Sequence, residues 1–330
     1  MTDPPRAIRA GRTLVVAHTD REHLWRHVDK LSSSERTVRK THHFVVCQPA
    51  PGKRGQVVLM HTFNRGTIDE DLPAVIADEL GPLGVVSTAR EYDDTLQAIV
   101  ASTSPTSSGS SGSDLDGLDL LATWRHYGLN TLRRLRPLVS EHSTRPTALR
   151  SSHIAQFATV YRRIIECTTG ASLLDVGTSL GFLPILATEL YPSMTVVGCD
   201  HRQDAISCAT DLAAATGSHR LTFLLRDVLS EDFPNVGAFD TVTAVHLLEH
   251  LTEDQMPVAL TNMLSVTAKL LIVSVPYEDN LQALYGHRQA FTLEKLRLWG
   301  QWCADRLAGG RFHCENIGGG LLIVENPQGV

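Results

Sequence analysis

Ser172-Leu-Leu-Asp-Val-Gly-Thr-Ser-Leu-Gly181 is the stretch on which the interpretation of this chain turns. Leu173, Leu174 and Val176 suit a strand covered on both faces. Gly177 and Gly181 let the backbone approach a ligand where a side chain would collide. Phe182 to Leu190 then reads as a helix, so the segment forms a strand, a glycine turn and a helix, which is the plan of a nucleotide-binding corner. A dinucleotide fingerprint would need glycines at 177, 179 and 182, whereas this chain has Ser179 and Phe182. No Gly-Lys-Ser/Thr follows, which also removes a triphosphate cradle.

Downstream, apolar strands recur with polar residues at their ends. Thr195 to Asp200 places a carboxylate where the next strand of an α/β unit comes alongside the first, and an ionised carboxylate there can accept both hydroxyls of a ribose. Leu221 to Leu225 ends in Arg226-Asp227. Phe239 to Val245 runs into His246-Leu-Leu-Glu-His-Leu251, and Lys269 to Val275 ends at Pro276-Tyr277. With Asp175 closing its strand, the opening stretch resembles motif I of class I S-adenosylmethionine (SAM)-dependent methyltransferases, Asp/Glu-x-Gly-x-Gly-x-Gly, with Ser179 replacing the middle glycine. The run at 246–251 resembles the Leu-Glu-His signature after the fourth strand of many small-molecule methyltransferases. This resemblance covers about residues 171 to 330. It implies an α/β, Rossmann-like seven-stranded sheet and SAM as cofactor. Asp175, Gly177 and Gly181 would lie against the donor's amino-acid portion, with Ser179 and His246 beside them, Asp200 on the ribose and Asp227 near the adenine.

Composition bounds the rest. The 330 residues allow two domains, and 30 Lys plus Arg against 36 Asp plus Glu give a net charge of −6, which argues against nucleic acid as a partner. Six cysteines show no Cys-x-x-Cys pair and no metal-ligand rhythm, so they read as reduced thiols of a cytoplasmic protein. The start is not followed by a signal-peptide core, and no apolar run approaches membrane-spanning length.

Ahead of residue 102, Arg12–Ala17, His42–Cys47, Gln56–Phe63 and Leu83–Ala89 read as strands, with helices over Arg21–Leu31 and Leu72–Leu80. That β-α-β-β-α-β order predicts an α+β ferredoxin-like module over 1–101, serving dimerisation into a homodimer, substrate gathering, partner docking or structure alone. Residues 102–113 are rich in Ser and Gly and read as a linker. Residues 114–170 have helical rhythm, with stripes Leu115, Leu118, Leu121, Trp124 and Ile154, Phe157, Val160, Tyr161, Ile164, Ile165. They would form a helical lid ahead of the SAM-binding domain at 171–330. Arg133, Arg134, Arg136, Arg145 and Arg150 there could hold an acidic acceptor, although a solvated helix face is the more usual use.

Methyl transfer to a neutral hydroxyl benefits from a base, and ligands of an open α/β sheet bind beyond the carboxyl ends of its strands. His246 fits the position after the fourth strand. After the fifth, Tyr285-Gly-His-Arg-Gln-Ala-Phe291 resembles the Gly-His-x-x-x-Phe segment of methyltransferases acting on small hydroxylated acceptors, which makes His287 the preferred catalytic base. His250 reads as mainly structural. No metal is expected: His18, His42, His43 and His61 are scattered over strands, and no clustered carboxylate pair demands an ion, Asp200, Glu249 and Glu278 being the acids left open for one. Ser274-Val-Pro-Tyr-Glu278 together with 285–291 is also similar to actinobacterial methyltransferases that modify the mycofactocin oligosaccharide, which would make the acceptor a glucose hydroxyl. The competing expectations are a phenolic or quinone-type acceptor and a catalytically silent SAM-fold binding module.

Overall fold

The computed structural model describes residues 6–31, 36–104, 119–140, 152–218 and 220–328. The chain divides into two compact units, Met1–Thr131 and Leu132–Val330. Residues 105–113 of the expected linker, Leu115 and Leu118 of the first helical stripe, and Arg145 and Arg150 lie outside the described residues.

The first unit runs β1 (Arg6–Ala10), β2 (Thr13–Ala17), α1 (Arg21–Leu31), β3 (Arg36–Lys40), β4 (Phe44–Pro49), β5 (Val57–His61), α2 (Leu72–Leu80) and α3 (Ala89–Ser102). Its strands form one mixed sheet in the order β1-β2-β5-β4-β3, with only β2 and β5 parallel. Alternation sorts the side chains. Val16, Val45, Cys47, Val58 and Met60 pack under Leu24 and Val28 of α1. His61, of opposite parity on β5, reaches Ser102 of α3 on the other face. The outer strand β3 carries exposed Arg39 and Lys40, and the Lys40 ammonium sits over the Trp25 ring.

The α+β character matches expectation, but the element order departs from the split β-α-β plan. The strand expected at Leu83–Ala89 does not form. Val85 and Val86 are buried as their composition suggests, but Gly84 turns left-handed at φ 65° and the chain enters α3 at Ala89. The place beside β2 is taken by β1, leaving that sheet edge no room for another strand. A signal for α3 was present in Thr88 and Glu91: the Thr88 hydroxyl accepts from the Glu91 N–H, while the Glu91 carboxylate reaches back to Ser87.

The helix α4 (Leu120–Ser140) begins in the first unit, where the Tyr127 hydroxyl donates to Glu70 and Asn130 donates to the carbonyls of Arg65 and Ile68. In the second unit follow α5 (His153–Cys167), β6 (Ser172–Val176), α6 (Phe182–Leu190), β7 (Thr195–Asp200), α7 (Gln203–Thr216), β8 (Leu221–Leu225), β9 (Phe239–Val245), α8 (Met256–Ser265), β10 (Thr267–Val275), α9 (Leu293–Ala304), β11 (Arg311–Asn316) and β12 (Gly320–Glu325). They build the expected seven-stranded sheet in the order β11-β12-β10-β9-β6-β7-β8, parallel except for the terminal hairpin, whose β12 runs antiparallel to β10. The order reverses between β6 and β9, and a switch of this kind opens a crevice at the carboxyl ends of the strands. The core under it joins Val242 and Ala244 of β9, Val273 of β10, Met256, Leu260 and Met263 of α8, and Phe291. Among the described residues no helix is long and apolar enough to cross a membrane, and all six cysteines are free thiols.

The two most enclosed imidazoles of the first unit give it an acid sensitivity. His61 is fully buried, its Nδ1 accepts from the Phe63 N–H, and Nε2–H therefore faces Ser102. Burial lowers its pKa to about 3, and burial together with His27, 3.2 Å away, lowers that of His18 to about 4. Both values lie below the ordinary 6.5, so the folded state binds fewer protons and stability, complete above pH 6.5, falls as pH drops from there toward 3. The unfolding transition of the first unit should move to lower temperature between pH 7 and pH 5, as followed by tryptophan fluorescence. A His61→Gln chain should show a shallower decline, and an equally steep one would contradict the assignment of a buried neutral ring.

Candidate functional site

The turn after β6 is fixed from below. The N–H groups of Gly177 and Thr178 both donate to the Cys199 carbonyl, at 2.8 and 2.9 Å, and Gly181 N–H closes the loop on the Thr178 carbonyl. Three residues of this turn have positive φ: Gly177 at 73°, Ser179 at 50° and Gly181 at 76°. A Cβ at Gly181 would stand 2.5 Å from the Phe223 ring and one at Gly177 2.9 Å from Leu247, so both glycines answer to backbone shape and close packing at once. Ser179 occupies the left-handed region without that freedom, a strain of about 1–2 kcal/mol.

Asp200, at the end of β7 and 8% exposed, points back at the turn. Its Oδ2 accepts from the Ser179 N–H at 3.0 Å and its Oδ1 from the Arg202 N–H at 2.9 Å. Two fixed amides hold the carboxylate still, and each oxygen keeps a lone pair for a hydroxyl donor. Asp175 behaves differently. It is buried beneath the turn and accepts from the Thr243 hydroxyl at 2.7 Å. Asp227 is exposed, and its Oδ1 caps the following turn by accepting from the Leu229 N–H.

Beyond β9 and β10 a second group assembles. Val245 of β9 is in register with Ser274 of β10, and Ala244 with Val176 of β6, so the segments that follow all three strands emerge at one edge. The short 3-10 turn Leu248–His250 is bound to residues 286–289 by backbone and side chain. Arg288 N–H donates to the Glu249 carbonyl at 2.7 Å, and the Gln289 amide donates to the carbonyls of Leu248 and Leu251 at 3.0 and 2.8 Å. Tyr277 bridges to Phe291, which brings Glu278 against His287.

Within this clamp each imidazole is oriented through Nδ1. A carboxylate or carbonyl oxygen can only accept, so Nδ1–H of His287 donates to Glu278 (2.6 Å), that of His250 to the Gly286 carbonyl (3.4 Å), and that of His246 to Glu249 Oε1 (3.0 Å). The Nε2 atoms of His250 and His287 are left as lone-pair donors. Glu249 is 1% exposed, and its Oε2 has no hydrogen-bond partner. One ligand atom each from Glu249, His250 and His287 lie within 4.8 Å of one another.

The sequence-predicted site residues are therefore all held by segments meeting at one sheet edge, although in separate groups, Asp227 following β8, whose Leu225 is level with Asp200 of β7. Asp175, Gly177, Ser179, Gly181 and Asp200 share the turn. His246 lies beside Glu249 and makes an edge contact with the Phe157 ring of α5 at 5.2 Å, so α5 covers this end of the sheet. His250, expected to be mainly structural, and Glu249, one of the acids left open for an ion, stand beside His287. Of the arginines expected to hold an acidic acceptor, Arg133 is exposed, and the Arg136 guanidinium forms a two-pronged pair with Glu189 at 3.0 and 2.7 Å and is thereby engaged.

Residues 173–269 match the family model of the methyltransferase domain. Three solved structures resemble the chain: a methyltransferase domain of bacterial CtHen1, at 18% identity over 52% of this chain and 97% of that one, TM-score 0.42; the small RNA methyltransferase HEN1, at 18% over 57% and 27%, TM-score 0.47; and magnesium protoporphyrin IX methyltransferase from Synechocystis PCC 6803 with bound S-adenosylhomocysteine (SAH), at 14% over 62% and 98%, TM-score 0.42. No curated protein matches. Residues 173–269 thus carry a methyltransferase domain, and the turn within them fits SAM as cofactor: a left-handed backbone bare of side chains at two positions, with a fixed buried carboxylate facing it.

Asp175 supplies a test. Burial raises its pKa from 3.8 to about 6, so its contribution to stability is complete below pH 3.8 and is lost as pH rises through 6. Asp175→Asn, neutral throughout, should melt at a higher temperature than the parent at pH 8 without ligand and show no advantage at pH 4. Equal melting at pH 8 would mean that the carboxylate is solvated after all.

Proposed function

We propose that this methyltransferase transfers the methyl group of SAM to a hydroxyl of a small molecule or glycan. When bound, SAM supplies a methyl carbon already activated on a sulfonium, so the protein's tasks are alignment, exclusion of water and care of the acceptor's proton. In this reading Gly177, Ser179 and Gly181 present backbone to the donor's amino-acid portion, Asp200 accepts from its ribose, Asp227 lies toward its adenine, and Asp175 supports the turn from beneath. His246 stands between donor and acceptor, under Phe157.

The observation that carries the choice of a hydroxyl is the convergence of His287, His250 and Glu249 beyond β9 and β10. A nucleophile that is reactive when neutral would not need them. A hydroxyl does, because it must give up a proton as its oxygen attacks. His287 is the principal residue of this group: Glu278 fixes its tautomer and leaves Nε2 with a free lone pair. Tyr285 lies 5.8 Å from His287 and 6.1 Å from His153, which gives the same edge an aromatic wall.

For the acceptor itself, a glucose hydroxyl of the mycofactocin oligosaccharide is the reading supported by the segments 274–278 and 285–291, which lie together through the Tyr277–Phe291 bridge and the Glu278–His287 pair. Incubation with methyl-labelled SAM and a panel of glucose oligosaccharides and phenols should give a product heavier by about 14 Da, the mass of one added methylene, on the sugar. His287→Ala should lower kcat by about 10²–10⁴ while leaving SAH affinity within about twofold. Methylation of the phenols alone would replace the glycan reading, and SAH binding without turnover of any acceptor would favour a silent binding module.

A further inference from the structure

We propose that Glu249, His250 and His287 hold a divalent first-row transition-metal cation, of the Mn²⁺, Co²⁺ or Zn²⁺ class, with open positions for the acceptor's hydroxyl. Among the described residues this is the one group of three such side chains whose ligand atoms converge, lying within 4.8 Å of one another. Its members have the supports that metal ligands have. A ligating histidine normally donates its second ring N–H to a carboxylate or carbonyl. His287 does so to Glu278 and His250 does so to Gly286, each turning Nε2 free.

The carboxylate gives an independent indication. Glu249 is almost entirely buried, Oε1 receives the His246 N–H, and Oε2 is enclosed with nothing to accept from. A buried carboxylate oxygen without a donor costs several kcal/mol unless a positive group neutralises it, and among the described residues no Lys or Arg forms an ion pair with Glu249. A cation between Glu249 and the two Nε2 atoms removes that cost.

Two imidazole nitrogens and one carboxylate suit borderline cations rather than an all-oxygen Mg²⁺ or Ca²⁺ site. Three protein ligands leave positions for water or substrate, as in catalytic rather than structural sites. Bonds of about 2.0–2.2 Å require the ligand atoms to draw somewhat closer than the present span, and the exposed His250 ring has the freedom to do it. In this arrangement His287 acts as a ligand. The acceptor's oxygen bonds the cation, its O–H bond weakens, and the proton leaves to solvent or a neighbouring base as the oxygen–carbon bond forms and the carbon–sulfur bond breaks.

The role of the cation rests on the hydroxyl-transfer reading, but its binding does not, and binding is what should be measured. The full chain, stripped with chelator and saturated with SAH, is titrated with Co²⁺ alone and followed by its visible d–d absorption and by equilibrium dialysis. One Co²⁺ per chain is expected. His250→Gln, at an exposed position, and the isosteric Glu249→Gln should each weaken it at least tenfold while SAH affinity stays within about twofold. Absence of stoichiometric Co²⁺, or Co²⁺ binding that neither variant weakens, would overturn the site. If Co²⁺ binds as described but no hydroxylated acceptor is methylated, the site stands and the acceptor reading fails.

Discussion

Parallel strands that finish level with one another set the terms for the second unit. With Val176, Ala244 and Val273 in one register, β6, β9 and β10 deliver their following loops to a single edge. Parallel strands buried on both faces have no other outlet for polar groups, so the chemistry of the domain collects where the ladder ends. The reversal of strand order beside β6 is the point at which an open sheet of this kind takes its ligand. The apolar helices and the 97-residue span matched to a methyltransferase domain serve this one geometric outcome.

At that edge, rigidity comes from backbone rather than from side-chain pairing. Cys199 receives two amides of the turn, Asp200 receives a third, and the turn at 248–250 is stitched to residues 286–289 by main-chain bonds and by the Gln289 amide. Such bonds hold groups far apart in the chain to within tenths of an ångström, the tolerance that an in-line displacement demands. The two halves are joined at Leu247, which packs on Gly177 and lies one residue from His246 and two from Glu249.

Much of this was readable in the sequence because it is local. The glycine turn and the strands that follow it each leave a signature within ten residues or so, and the helix expected over Leu72–Leu80 forms with those bounds. What was misread depended on competition between distant segments. Leu83–Ala89 has the composition of a strand, but β1 already occupies the edge it would need. The triad of Glu249, His250 and His287 has no spacing to recognise, because the third member arrives only after β10 has returned to the same edge and the loop has been tied down. Ser179 was visible as a departure from a glycine pattern, whereas its positive φ shows what the departure costs.

The outer strand β3 bears on how copies of this chain could associate. Among the described residues no strand pairs with its outer backbone edge, which would ordinarily invite another strand at a spacing of about 4.8 Å. Arg39 and Lys40 stand exposed along it, and an antiparallel copy would bring like charges face to face across that gap. Growth of the first unit into a continuous two-molecule sheet is thus blocked on this flank by electrostatic repulsion, and the same positive fringe protects the domain from runaway edge-to-edge aggregation.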